Sequence, residues 1–492
     1  MRRLLKAIFG LGGAQVAGLL LGMIATKIMA VLVGPSGVGF YSLLRQISDM
    51  VVGFAGLGSG HGLIQGLAPR EGEARLRLLA SGLWLTLSGA ALAAILLLVG
   101  SGHLAKLFFA DGTAGSTVRW MALGVVVNVV STFLLTLVQA NGRFAAYSAS
   151  QIASSAVLAL IAYPVTLAAL DEKAAFVAMI VLPCLVQIAF SLRTLRHAGE
   201  IPRLSSAIGI APDEEGLRHF SRFILFGIGM IALATVAGAV VRALIVRYYG
   251  LEAAGQFQSA WTLGMQNLTL LLTPFMTYVF PVLSAAKEPN ARRAAWIDIA
   301  TVIVAAALPM VVAAIVLKPL LLRIFYTSEF LAAIPILQWM LLANYAKAIS
   351  WLFAVATYST GRLRWYFFGE ATWNIVFVAM VFVSIHLHLP LEWIGIGFAV
   401  SYAVFLPLTA VICWRLLRLT FDARLLSLAT FGMALIGASA WATWSETTID
   451  WPVAAGAIAI SGVVGLFALP PARRARAWDE VRDLIRSVRR TG

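Results

Sequence analysis

About fourteen apolar runs, each long enough to cross a bilayer, account for most of this 492-residue chain. They fall at roughly 12–33, 38–61, 78–100, 117–140, 147–170, 174–193, 220–246, 253–281, 297–317, 331–358, 365–386, 392–414, 425–443 and 451–469. A spanning helix needs about 20 apolar residues. None of the runs alternates as a barrel strand does, so each reads as a helix whose backbone bonds are internal. Only 12% of the residues are charged, against about 25% in soluble domains. A soluble fold of this length cannot hide so much apolar surface, which excludes a soluble enzyme of several domains. The expectation is an all-α polytopic membrane protein. Arg2, Arg3 and Lys6 precede the first run as they would in a signal peptide. That run is long, contains Lys27 and lacks a clear cleavage site, so it reads as an uncleaved helix.

The net charge of +15 would suggest nucleic acid in a soluble chain. Here its distribution points to the membrane instead. With the N-terminus in the cytoplasm, 27 of the 37 basic residues fall in cytoplasmic segments, among them Arg70, Arg75, Arg77, Arg193, Arg196, Arg203, Arg218, Lys287, Arg292 and Arg293. Six fall outside: Lys106, Arg119, Lys173, Arg247, Lys318 and Arg323. This asymmetry predicts an even number of crossings with both termini cytoplasmic, and no nucleic acid partner. Cys184 and Cys413 both lie in apolar runs, so no disulfide framework is expected.

The chain also repeats itself. Gly34-Pro-Ser-Gly-Val-Gly39-Phe-Tyr41 resembles Gly250-Leu-Glu-Ala-Ala-Gly255-Gln-Phe257 at an offset of 216. Lys106-Leu-Phe matches Arg323-Ile-Phe at 217. At 219, Trp120-Met121 pairs with Trp339-Met340, Asn128 with Lys347, Gly142-Arg143 with Gly361-Arg362, Tyr147 with Tyr366 and Gln151 with Glu370. The slow drift of the offset suits small loop insertions. The expected organisation is two pseudo-symmetric six-helix lobes, 1–196 and 220–420, joined by a polar cytoplasmic linker, 197–219. Two additional helices, 421–470, lie outside the repeat as an appendage, followed by a basic cytoplasmic tail, 471–492. An even number of helices per lobe makes the repeats parallel, and a transported molecule then binds between them. The tail places Trp478, Val481, Leu484, Ile485 and Val488 at helical spacing among seven arginines. It reads either as an amphipathic helix on anionic headgroups or as a disordered solubilising tail.

Four basic residues fall inside spans: Lys27, Arg45, Arg242 and Lys347. One such residue at the centre of a span costs about 2.5–3.5 kcal/mol. They face a wet cavity or pair with acids, and Asp49 and Glu370 are the acids within reach. Asp49 lies one turn after Arg45, so the two can pair. Arg45, Arg242 and Lys27 lie in the outer half of the membrane, where the last two can also snorkel to the interface. Lys347 lies deeper, near the middle of its helix. Glu370, near the cytoplasmic end of its span, can pair with Arg364 instead. Gly58, Gly62 and Gly66 repeat every four residues, which serves close helix approach or a hinge. No Walker-type phosphate loop, metal-ligand cluster or nucleophile motif occurs, so neither catalysis nor a cofactor is expected. Transport must draw on an ion gradient, a partner or the substrate's own gradient.

Ala25-Thr-Lys-Ile-Met-Ala-Val-Leu-Val-Gly-Pro-Ser-Gly-Val-Gly39 followed by Leu44-Arg45-Gln46 resembles the first hairpin of Wzx-type flippases. These belong to the multidrug/oligosaccharidyl-lipid/polysaccharide exporter superfamily. The likeness extends over about 10–418, through Gly53–Gly66, Val241-Arg242, Tyr278-Val-Phe-Pro281, Lys347 and Leu363-Arg364-Trp-Tyr366 with Glu370. It implies a bacterial inner-membrane protein that moves an undecaprenyl-diphosphate-linked oligosaccharide, such as an O-antigen unit or enterobacterial common antigen, to the periplasmic leaflet. It also implies contacts with inner-membrane lipids, and polymerase and chain-length proteins of the same pathway as partners. Arg45, Arg242 and Lys347 carry over as substrate-binding residues and Glu370 as an ion-coupling residue. Lys27 and Asp49 enter from their position alone, as a binding and a coupling residue. Many relatives of this type stop after twelve helices, so 421–492 departs from the pattern. The rivals are a lipid II flippase, a multidrug exporter of the same superfamily and, in a different class, a membrane-bound glycan polymerase or ligase. Multidrug exporters usually favour cations, which a cationic cavity repels. Polymerases and ligases generally need a large outer loop that this chain lacks.

Overall fold

The computed structural model describes residues 2–469 apart from 57–58, 68–69, 110–113, 287 and 445. The expected basic tail lies outside the described residues. Every regular element among them is helical. In chain order they are α1 (Arg2–Ala55), α2 (Ser59–Leu67), α3 (Gly72–Phe109), α4 (Gly115–Ala140), α5 (Phe144–Asp171), α6 (Ala178–His197), α7 (Ile201–Ile208), α8 (Glu214–Ile231) and α9 (Ala237–Ala285). They continue with α10 (Pro289–Val316), α11 (Lys318–Phe325), α12 (Ile334–Ser359), α13 (Leu363–His386), α14 (Glu392–Leu417), α15 (Ala423–Ala442) and α16 (Trp451–Ala468). Among the described residues eleven stretches are long and apolar enough to cross a membrane. One of these, Val16–Ala55, holds two crossings broken at Gly34. α9 is broken in the same way at Gly250, and α8 with the two arms of α9 occupies the place of the seventh and eighth expected spans.

Glycine makes these breaks. Gly34 interrupts α1 at φ 60° and Gly250 interrupts α9 at φ 88°. Gly142 and Gly361, at φ 68° and φ 75°, turn α4 into α5 and α12 into α13. A side chain in this left-handed region costs roughly 1–2 kcal/mol. Both pairs are ones the sequence repeat aligns, at 216 and 219. The neighbouring Arg143 and Arg362 have matching backbones, with φ −89°, ψ 58° and φ −82°, ψ 50°. The repeat in sequence is thus a repeat of turns.

Packing groups the chain into two compact units. One runs to Gln258 and takes in Ile324–Phe330; the other comprises Ser259–Arg323 and the chain from Leu331 onward. These bounds differ from those of the repeat, because α8 packs on α2 and α3.

In the first unit the two glycine hairpins interlock. A Cβ on Gly39 would lie 2.2 Å from the Leu251 carbonyl oxygen, and one on Gly255 would lie 1.9 Å from that of Pro35. The expected second span is shorter than its apolar run: it ends at Ala55, and Ser59 starts the separate α2. Gly58 lies outside the described residues. On α2, a Cβ on Gly66 would meet Leu78 at 2.5 Å and His219 Nε2 at 2.7 Å. This glycine serves close packing. The segment expected as a polar linker is docked at the same end. Arg75 donates to the Leu67 carbonyl at 2.8 Å and to Asn141 Oδ1 at 2.9 Å, and pairs with Glu200 at 3.5 Å. Trp84 Nε1 donates to the Ile210 carbonyl at 3.0 Å.

In the second unit α15 and α16 are not an appendage. Gln338 Nε2 in α12 donates to the Ala440 carbonyl at 3.0 Å, and Gly432 leaves room for Tyr345. A Cβ on Gly465 in α16 would lie 2.5 Å from the Ala305 carbonyl oxygen of α10. Lys318, expected in an outer loop, is completely buried just past α10. It donates to the Thr443 carbonyl at 2.5 Å and to Thr443 Oγ1 at 3.1 Å. The pair covers polar groups that lipid could not satisfy.

Candidate functional site

The six residues singled out from the sequence separate into two groups, one in each unit. In the first unit Arg45 and Asp49 lie one turn apart on α1, with Arg45 Nε 3.4 Å from Asp49 Oδ2. Their side chains are 50% and 46% exposed. An exposed pair at this spacing contributes only about 0.3–0.5 kcal/mol. Placing a charge in a span costs several times that, so the pair does not account for its own presence in lipid. The face that carries it must be wet or occupied.

Arg242, on the first arm of α9, is buried and draws on its own hairpin. Its Nε and Nη2 donate to Gln258 Oε1 at 3.2 and 2.9 Å, and Nη1 donates to the Gly238 carbonyl at 3.2 Å. The guanidinium lies over the Phe257 ring at 5.7 Å and within electrostatic range of Asp49. Beside it, Ala232–Val236 forms a π-helical turn, and Gln46 Nε2 donates to the Thr235 carbonyl at 3.1 Å. A π-turn shifts the hydrogen-bond register, and a side chain from α1 takes one of its carbonyls. Lys27 is less available: its ammonium donates to the backbone carbonyl of Tyr326.

In the second unit Lys347 sits in the middle of α12, the helix where turn geometry repeats that of α4. Its Nζ is 2.7 Å from Met265 Sδ and 6.0 Å from the centre of the Tyr402 ring. No carboxylate lies within ion-pair distance of it among the described residues. Glu370 on α13 is its electrostatic neighbour. That carboxylate accepts from Trp373 Nε1 at 2.9 Å rather than pairing with Arg364. Trp373 stacks on Tyr402 at 5.5 Å and on Phe377 at 6.4 Å. A thioether and a ring face stabilise a cation far less than an anion does in a medium of low dielectric.

Several residues of these surroundings were not singled out from the sequence: Gln258, Met265 and Trp373, with Gln46 entering only as part of the hairpin motif. Each lies on the same helix as a charged residue, or on the helix packed against it. A search for polar residues one or two turns from a charge within a span would have found Gln46 and Trp373. Among the described residues no group of three or more metal-ligating side chains occurs.

A family model described as "Polysaccharide biosynthesis protein" matches residues 28–335. The lipid III flippase of Escherichia coli (strain K12) is 23% identical over 365 residues, which cover 72% of this chain and 84% of that protein. Among solved structures, a lipid II flippase in an inward closed conformation superposes with a TM-score of 0.71 at 14% identity. It covers 96% of this chain and 99% of that one. An inward-facing multidrug transporter of the multidrug/oligosaccharidyl-lipid/polysaccharide superfamily gives 0.68 at 15% identity, covering 86% of this chain and 95% of the other. The fold is therefore that of this superfamily.

Proposed function

Because the chain belongs to the polysaccharide biosynthesis protein family whose model matches most of it, we propose that it is a flippase for a lipid-linked oligosaccharide. Its substrate is an undecaprenyl-diphosphate-linked glycan repeat unit of the O-antigen type, carried from the cytoplasmic to the periplasmic leaflet of the bacterial inner membrane. The likeness to the lipid III flippase supports the substrate class. The observation that carries the reading is Lys347: an ammonium in mid-span that meets a thioether and a tyrosine ring. A diphosphate supplies the charge it faces. In the first unit Arg45, half exposed within a span, and Arg242, held by Gln258, are the further cations able to meet an anionic substrate. Asp49 and Glu370 are the groups able to take up a coupling proton, and transport proceeds by alternating access.

Surface glycan in a flippase-deficient strain tests this reading. Lys347→Met keeps an apolar side chain of similar length beside Met265, so the variant should reach the membrane in normal amount and export no glycan. Normal export by Lys347→Met would remove the diphosphate role of Lys347.

A further inference from the structure

The first unit holds a second polar cluster, on α4, α5 and α6, that the diphosphate leaves unused. Ser131 Oγ donates to Gln187 Oε1 at 2.8 Å, and Gln187 Nε2 donates to Gln151 Oε1 at 2.5 Å. One turn before Gln187, the buried Cys184 lies beside Ser131 and within electrostatic range of both Arg45 and Asp49. The relay and the charged pair therefore share one neighbourhood. Ser131 lies 16 residues into α4 and Gln187 nine residues into α6. At 1.5 Å per residue both are deep in the membrane.

The relay is directional. Ser131 donates a hydrogen bond to Gln187, Gln187 donates one to Gln151, and the amide of Gln151 meets no acceptor among the described residues. Asn128, one turn before Ser131, accepts from Thr132 Oγ1 at 3.4 Å, and its own amide likewise meets no acceptor among them. An amide deep in a span that lacks a partner is strongly disfavoured in hydrocarbon. Water or a ligand must supply the acceptors. The sequence repeat sharpens the point. At an offset of 219 Asn128 stands where the second half has Lys347, and Gln151 where it has Glu370. One half thus offers charge at these two positions, and the other offers neutral amides.

We propose that Gln151 and Asn128 donate to hydroxyl oxygens of the sugar attached to the diphosphate, that Gln187 and Ser131 orient Gln151, and that Asp49 accepts from a sugar hydroxyl. A neutral hexose ring carries both donors and acceptors, which suits amides beside a carboxylate. This subsite rests on the flippase reading and gives it a selectivity that the cations alone lack, because a cation binds a bare diphosphate as readily as a glycosylated one.

The test uses the full chain in lipid nanodiscs and two probes, farnesyl diphosphate and farnesyl diphosphate bearing one glucose. The wild type should bind the glycosylated probe more tightly. Gln151→Leu combined with Gln187→Leu should lower that preference by roughly fivefold for each hydrogen bond lost, with affinity for farnesyl diphosphate unchanged as the measure of intact folding. Should that variant not assemble, Asn128→Leu gives the same reading on the neighbouring amide. Equal affinity of the wild type for both probes, or a preference that survives in the variants, overturns the sugar subsite alone. Binding of neither probe by the wild type overturns the diphosphate reading as well.

Discussion

Lys347 and Lys318 are two basic side chains of the second unit with opposite surroundings. Lys347 meets no carbonyl among the described residues, whereas Lys318 is held by Thr443 through both its carbonyl and its hydroxyl. Burial pushes the Lys318 ammonium down to about 8 from 10.5. Its folded pKa is the depressed one, so between pH 8 and 10.5 the unfolded chain binds more protons than the folded one. Stability then rises with pH across that window. Thermal unfolding of the wild type should show this rise, and Lys318→Met should flatten it. Below pH 8 the burial penalty is fully present and the profile is level. Neither the depth of Lys318 nor the Tyr326 carbonyl that holds Lys27 was legible in the sequence. Hydropathy reports which solvent a segment prefers, but these partners lie 125 and 299 residues away along the chain. What hydropathy did reveal is which charges stand inside spans, and Arg45 beside Asp49 followed from spacing alone.

At the scale of the element, glycine positions rank by what surrounds them. Gly250 has φ 88° and nothing within 4 Å of a built Cβ, whereas Gly255 would place one 1.9 Å from the Pro35 carbonyl oxygen. Gly250→Ala should therefore lower stability by about 1–2 kcal/mol, the cost of a left-handed alanine. Gly255→Ala should cost more, because two backbones must part. Membrane abundance and thermal stability of the two variants check the order. Gly39→Ala should behave as Gly255→Ala does. The hairpins were legible in sequence because only glycine suits such turns, so the motif recurs where the turn recurs. The stop at Ala55 was not legible, since apolar residues continue past it. The role of α15 and α16 was hidden for another reason: their packing depends on Gly432 and Gly465 meeting particular atoms of α12 and α10. Deleting the chain from Asp422 onward should expose Gln338 and Tyr345 to lipid, leave Lys318 without Thr443, and deplete the protein from the membrane.

For the whole molecule, the 27 basic residues assigned to one side against six on the other predict both termini in the cytoplasm. Single cysteines at Ser36 and Thr447 should label from outside intact cells, and one at Ser205 should not. External labelling at Ser205 would invert the depth assigned to every charge. In the proposed function, charges within spans hold a diphosphate while its glycan crosses. Proteoliposomes containing the purified chain and a lipid-linked oligosaccharide measure this most directly, through the rate at which the glycan becomes accessible to an enzyme added outside. The wild type should move the glycan, and a variant carrying Arg45→Ala with Lys347→Met should fall to the rate of empty liposomes at equal protein content. Equal rates for that variant and the wild type would show that these charges do not hold the diphosphate.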